Sequence, residues 1–185
     1  MCRAARALGI LLLVVGPMAG PASGTDRPRH GTVVRVVDGD TLVVRLDGDD
    51  VRVRLIGIDT PELHDSPKLE RQLRRGWDRN TIRKLGQRAY LFAEARLDGR
   101  RARLELDAQT HDDYGRLLAY VWVDEVLINA ELLRHGHART LSIPPNVRHA
   151  RRFADLERAA RADGRGLWAE WPPRAANESA LSAGP

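Results

Sequence analysis

Alternation is the first clear pattern along the chain. Residues 32–37 form a β-branched run broken by Asp38-Gly39-Asp40, and Thr41–Leu46 reads as a second strand. Asp47-Gly48-Asp49-Asp50 is a tight hairpin turn, with Gly48 free to take a positive φ. Residues 51–56 open with strict alternation, so one face is buried and the other wet. Gly57 marks a bend in that strand. Residues 63–85 are polar and irregular. The period then becomes helical, with Ala89, Phe92, Ala93 and Leu97 on one face and Gly99 as the stop. Residues 101–106 and 116–123 are the fourth and fifth strands, the latter ending at an Asp124-Glu125 turn. A short helix is expected over 129–135, stopped by Gly136. A third helix is expected over 146–163, with Asn146 as its N-cap and Ala150, Phe153, Ala154 and Ala160 turned inward.

Three strands, a helix, two strands and two helices predict an α+β fold that is mainly β. The architecture they suit is a five-stranded Greek-key barrel of the OB type with three packed helices. The folded domain is expected over residues 30–171. Ahead of it, Arg3 and Arg6 precede the apolar run 7–16, followed by small residues, Pro17 and Pro21. This is the pattern of a signal peptide over residues 1–23, the alternative being an uncleaved anchor. The run is shorter than the roughly 20 residues a membrane span needs. Such a leader sends the protein out of the cytoplasm, to the periplasm, the envelope or the medium. Residues 172–185 are rich in Ala, Ser, Pro and Gly and read as a disordered tail.

The only cysteine, Cys2, lies ahead of the apolar run. Thiol catalysis, Cys-ligated zinc and disulfides are therefore excluded from the mature domain. The net charge of +5 is mild and alone says little about partners. Its distribution is more telling, with eight basic and two acidic residues between Lys68 and Arg88.

The chemically unusual stretch is Arg54-Leu55-Ile56-Gly57-Ile58-Asp59-Thr60-Pro61-Glu62. A strand that only filled a core has no use for Arg54, and a turn that only reversed the chain does not need both Asp59 and Glu62. Carboxylates and main-chain carbonyls are the ligands of a hard cation such as Ca²⁺. Asp40, at another strand end, can share one ion with Asp59, while Glu62 stays free as a base. Arg54, and Arg116 after Asp112-Asp113-Tyr114-Gly115, offer guanidinium groups that suit phosphoryl oxygens. Together these are the parts of metal-assisted phosphodiester hydrolysis. The plainer account is that Arg54 and Arg116 simply pair with Asp40 and Asp59.

These residues resemble the staphylococcal nuclease (thermonuclease) family over about residues 32–168. The resemblance is carried by Val37-Asp38-Gly39-Asp40-Thr41, by the Arg54-to-Glu62 stretch, by Asp113-Tyr114-Gly115-Arg116-Leu117-Leu118-Ala119-Tyr120, by Asn129-Ala130-Glu131-Leu132-Leu133 and by Gly166-Leu167-Trp168. It implies a Ca²⁺-dependent nuclease that acts on DNA and RNA as a monomer, with no membrane partner beyond the N-terminal segment. It also implies that Asp40, Asp59 and the Thr60 carbonyl hold the ion and that Glu62 is the general base. Arg54 and Arg116 would stabilise the charged phosphate, and Tyr114 would contact the nucleotide. The rival is a non-catalytic OB module that binds nucleic acid, and retention of all five charged site residues speaks against it.

The chain departs from the family in two places. The tyrosines that line the family's base pocket are replaced in Leu141-Ser142-Ile143-Pro144-Pro145-Asn146. The segment between Glu62 and Gly86 is longer and basic, and Arg74, Arg75 and Trp77 within it are expected to contact nucleic acid, against the alternative of a solvated basic loop. His135, His137 and His149 form a weak metal candidate, since His-x-His astride Gly136 is poor ligand geometry. Trp122 and Trp168 are expected to pack rather than stack on bases.

Overall fold

A computed structural model describes residues 28–74 and 77–170. The leader, the tail and Arg75 lie outside the described residues. Among the described residues no helix is long and apolar enough to cross a membrane.

The first three strands, β1 (Arg29–Asp38), β2 (Thr41–Leu46) and β3 (Asp49–Leu55), form the expected antiparallel meander. Gly57 then turns the chain into β4 (Gly57–Asp59) at φ 78°, and a Cβ there would meet the Phe153 ring at 2.7 Å. Only glycine suits both demands. Strand β5 (Arg101–Glu105) pairs with β1 and β6 (Leu117–Val123) pairs with β5. A parallel pairing of β3 with β6, Val53 to Leu117 and Leu55 to Ala119, closes the barrel. Its five strands run in the order β3-β2-β1-β5-β6, with the short β7 (Val126–Leu127) added beyond β6. Val33, Val44, Leu46, Val53, Leu55, Leu104, Leu117 and Val121 fill the interior, each at most 2% exposed. The barrel is therefore a packed core, and its polar groups are displaced to the strand ends.

Among the described residues four helices surround it, one more than expected. Pro67 opens α1 (Pro67–Arg74) inside the segment read as irregular, and Leu69 is its buried residue. The second helix, α2 (Arg79–Leu97), starts well before the apolar pattern at Ala89. Asp78 caps it, accepting from the Thr81 amide at 2.8 Å, and Ile82 and Leu85 extend its buried stripe. Its arginines and Lys84 mask that stripe in the sequence. Helix α3 (Ile128–Arg134) is close to the expected one. Helix α4 (Ala150–Ala162) begins later than expected and is capped at His149 rather than Asn146. The Asn146 side chain is engaged elsewhere: it accepts from the Gln109 amide at 2.8 Å and donates to the Gln109 carbonyl at 2.7 Å. Ala154 is exposed, and the inward face is Phe153, Glu157 and Ala160. A short strand β8 (Arg139–Leu141) pairs with β4 outside the barrel.

Candidate active site

Asp40 sits at the β1–β2 turn, Arg54 near the end of β3 and Asp59 at the end of β4. The barrel brings all three together although fourteen or more positions separate Asp40 from the others. One Asp40 oxygen accepts from both the Thr60 amide (2.9 Å) and the Thr60 hydroxyl (3.0 Å), and it meets Arg54 Nη1 at 2.9 Å. Arg54 Nη2 lies 3.6 Å from Asp59 Oδ1 and donates to the Ile58 carbonyl at 3.1 Å. The plainer account thus holds for Arg54, which bridges both aspartates. It does not hold for Arg116, whose partner is Asp112 at 2.7 Å.

Two further cations enter the cluster, and neither was expected from the sequence. Register places Arg139 of β8 opposite Asp59 of β4, and its guanidinium forks onto Asp59 Oδ2 at 2.8 and 2.7 Å. Lys68, the second residue of α1, reaches Asp59 Oδ1, Glu62 Oε1 and the Thr60 carbonyl, each at 2.7 Å. Ser66 donates to the other Glu62 oxygen at 2.9 Å. Gly86 lets α2 come close beneath this turn, since a Cβ there would be 2.8 Å from the Glu62 carbonyl.

The electrostatics follow from these contacts. Burial pushes the Asp59 carboxyl up, but Lys68 and Arg139 outweigh it and hold the group below its ordinary value. Burial pushes the Lys68 ammonium down, but Asp40, Asp59 and Glu62 outweigh that in turn and keep it charged. Asp38 is pushed up to about 7, by desolvation first and then by the Asp40 and Glu62 charges, against the Gly39 amide and Lys68.

The donor set suits a hard cation. Asp59, Thr60 and Glu62 supply oxygens that already surround a positive charge, the Lys68 ammonium, at distances near the roughly 2.3–2.6 Å of Ca²⁺–oxygen contacts. Among the described residues no three His, Cys, Asp or Glu side chains converge as a metal cluster, and the Thr60 carbonyl is one of the three oxygens around the ammonium. Asp40, expected as a direct ligand, is turned toward Arg54 and Thr60 in this state.

A cleft of about 490 Å³ adjoins the cluster. Arg54 lines it from one side and Arg116, Asp112 and Tyr114 from another, while Leu141 and Ile143 supply apolar surface. Asp112 shapes the Arg116 turn by accepting from the Tyr114 and Arg116 amides at 3.0 and 2.9 Å. Tyr114 is 86% exposed, and the Arg116 guanidinium lies 5.5 Å from its ring centre. The structure therefore brings Arg54, Arg116 and Tyr114 to one cleft, and Asp40, Asp59, Thr60 and Glu62 to one cluster, with Arg54 shared by both.

The other candidates separate from this site. Arg74 is exposed at the end of α1 and Trp77 is half-buried beyond it, and neither lines the cleft. Arg79 and Arg83 are committed to Asp65, and Arg79 also to Glu70. His135 and His137 pack against Phe92, at ring distances of 5.1 and 4.5 Å, and His149 pairs with Glu105, so the three histidines form no ligand set. Trp122 is half-buried and donates to Glu105 at 2.8 Å, a packing role as expected.

The profile of the family described as staphylococcal nuclease homologue matches residues 52–170. Among curated proteins, a thermonuclease of Staphylococcus intermedius is 34% identical over 88% of this chain and 92% of its own length. One of Staphylococcus hyicus is 30% identical over 83% of each chain. The endonuclease YncB of Bacillus subtilis is 30% identical over 75% of this chain and 61% of its own. Closed barrel, polar strand ends and sequence likeness agree, and the chain belongs to the staphylococcal nuclease family.

Proposed function

We propose that the protein is a Ca²⁺-dependent nuclease that hydrolyses phosphodiester bonds of DNA and RNA, and that residues 1–23 export it. The nuclease class follows from the family. The finer reading is supported by one observation above others: Asp59, Thr60 and Glu62 surround a single cation position, with Arg54 linking that position to a cleft that also holds Arg116.

Asp59 and the Thr60 carbonyl would hold the ion, with Asp40 joining once its bond to Arg54 yields. When bound, the ion supplies charge that polarises a phosphate. Glu62 is the general base, taking a proton from the attacking water through a carboxylate oxygen. Arg54 and Arg116 present N–H donors that stay charged at any working pH, and they offset the negative charge that gathers on the phosphoryl oxygens. Tyr114 contacts the nucleotide from its exposed position. Arg74, Arg75 and Trp77 would contact the polynucleotide, Arg74 and Trp77 from outside the cleft.

The test is cleavage of plasmid DNA and RNA by the purified protein in Ca²⁺, in EDTA, and as Glu62→Gln. Cleavage in Ca²⁺ alone, lost in the Gln variant, is expected. Full activity of Glu62→Gln would remove the general-base assignment, and equal cleavage in EDTA would remove the ion.

A further inference from the structure

Lysine is scarce in this chain. Of its thirty Lys and Arg residues, only Lys68 and Lys84 are lysine. One of the two sits at the centre of the cation cradle. A guanidinium is flat and wide, whereas an ammonium is a compact point charge with three donors, the side-chain group closest in shape to a bare ion.

Three further facts describe what Lys68 does there. Its three N–H donors are matched by three acceptors, Asp59 Oδ1, Thr60 O and Glu62 Oε1. With none left over, the ammonium in this position cannot also bind a phosphate oxygen. Both Glu62 oxygens are engaged, one by Lys68 and one by Ser66, and the ammonium in contact makes the carboxylate a weaker base. The carboxylates Asp40, Asp59 and Glu62 are matched in number by Arg54, Arg139 and Lys68, so these six groups balance one another without any ion. A divalent cation added beside Lys68 would meet like charge at contact distance. Lys68 can leave without unfolding the helix that carries it. The neighbouring Leu69 is fully buried and anchors α1, while the Lys68 side chain is a flexible four-carbon stem, partly buried at 21% exposure.

We propose that Lys68 is an internal counter-cation that holds the ion site shut, and that a divalent ion enters only by displacing its ammonium. The inference rests on the Ca²⁺ reading above. When an ion held by Asp59 and the Thr60 carbonyl displaces Lys68, the ammonium leaves Glu62 Oε1 in the same movement, so the base becomes available only when the cation is in place. A monovalent ion gains too little from the exchange to drive it. Because only molecules with Lys68 withdrawn can bind, the apparent affinity for Ca²⁺ is reduced by the fraction withdrawn.

Two measurements on the full protein test this apart from catalysis. Calorimetric titration with Ca²⁺ should show Lys68→Met binding roughly 10- to 100-fold more tightly than the unaltered protein. In the unaltered protein, brief acylation of amines read by mass spectrometry compares Lys68 with Lys84 as internal reference. Lys68 should label slowly in EDTA and faster in Ca²⁺, with Lys84 unchanged. This second measurement needs no variant to fold. Equal or weaker Ca²⁺ binding by Lys68→Met, or Lys68 labelling that Ca²⁺ leaves unchanged or slows, overturns the proposal. So does DNA cleavage that persists in EDTA and disappears in Lys68→Met, which would make the ammonium a substitute for the ion. If DNA is never cleaved but the variant binds Ca²⁺ more tightly, the nuclease reading fails and the role of Lys68 stands.

Discussion

Two groups of buried carboxylates lie at the ends of this barrel, and they are held in opposite ways. In the cluster of Asp40, Asp59 and Glu62 many of the partners are the tips of long cationic side chains, Arg54, Lys68 and Arg139. In the cluster of Glu105 and Asp107 the partners are mostly groups with nowhere to go. Asp107 accepts from the Tyr120 hydroxyl at 2.9 Å, the Ala108 amide at 2.9 Å and the Arg148 amide at 3.2 Å. Glu105 accepts from the Trp122 indole at 2.8 Å. Backbone amides and buried aromatic donors cannot withdraw without local unfolding, whereas a lysine or arginine tip can swing to water at modest cost. The first cluster can exchange its cations for an ion and a phosphate, and the second can only hold loop and helix together.

The comparison is broken most directly by exchanging the roles. Glu62→Gln should lower kcat/KM on DNA by about 10²–10⁴-fold, the usual contribution of a positioned base, with little change in unfolding free energy. Asp107→Ala should do the reverse. It strands the Tyr120 hydroxyl and two amides and should cost roughly 1–3 kcal/mol in urea unfolding, leaving kcat/KM of the folded protein nearly unaltered. A folded, stable Asp107→Ala protein without activity would erase the distinction.

A smaller effect sharpens the cleft side of the comparison. Leu141 and Ile143, 38% and 59% exposed, line the cleft with aliphatic surface. Base stacking on an aromatic ring is worth about 1–3 kcal/mol, so Leu141→Tyr should lower KM for single-stranded DNA by roughly fivefold or more, with kcat little changed. An unchanged KM would mean that bases do not reach this wall.

How far the sequence foretold each cluster follows from where the partners lie. Asp40, Arg54, Asp59, Thr60 and Glu62 were legible because each stands at a strand end or in the turn next to one, and strand ends follow from alternation and turn residues. Arg54 was conspicuous as a charge among apolar neighbours. Lys68 and Arg139 were not legible, because their positions depend on tertiary packing. Lys68 is aimed by a helix with a single buried residue, Leu69, too little apolar content to announce itself. Arg139 is aimed by a three-residue strand whose register with β4 no local pattern states. One signal was available all the same, the near-exclusive use of arginine, which makes each lysine a choice. Asn146 misled for a related reason: a good N-cap residue was drawn into bonds with Gln109, a partner 37 positions away.

The finest test uses pH on the fixed cluster. Burial pushes the Asp107 carboxyl up, but the Arg148 amide, the Tyr120 hydroxyl and the Ala108 amide more than offset it and hold the group below its ordinary value. The unfolded chain therefore takes up this proton at a higher pH than the folded one. Where the unfolded state binds more protons, stability rises with pH, so this contribution is complete above the unfolded value and is lost as pH falls through the folded one. Asp107→Asn keeps the shape but has no proton to bind. Its urea unfolding free energy should be lower than that of the unaltered protein near neutrality, and the gap should narrow as pH falls below about 4. The narrowing should survive added salt, because two amides and a neutral hydroxyl, rather than mobile cations, do most to hold the charge. A gap that stayed constant from neutrality into acid would show that these donors do not favour the ionised form, and Asp107 would then differ from Asp59 in more than the mobility of its partners.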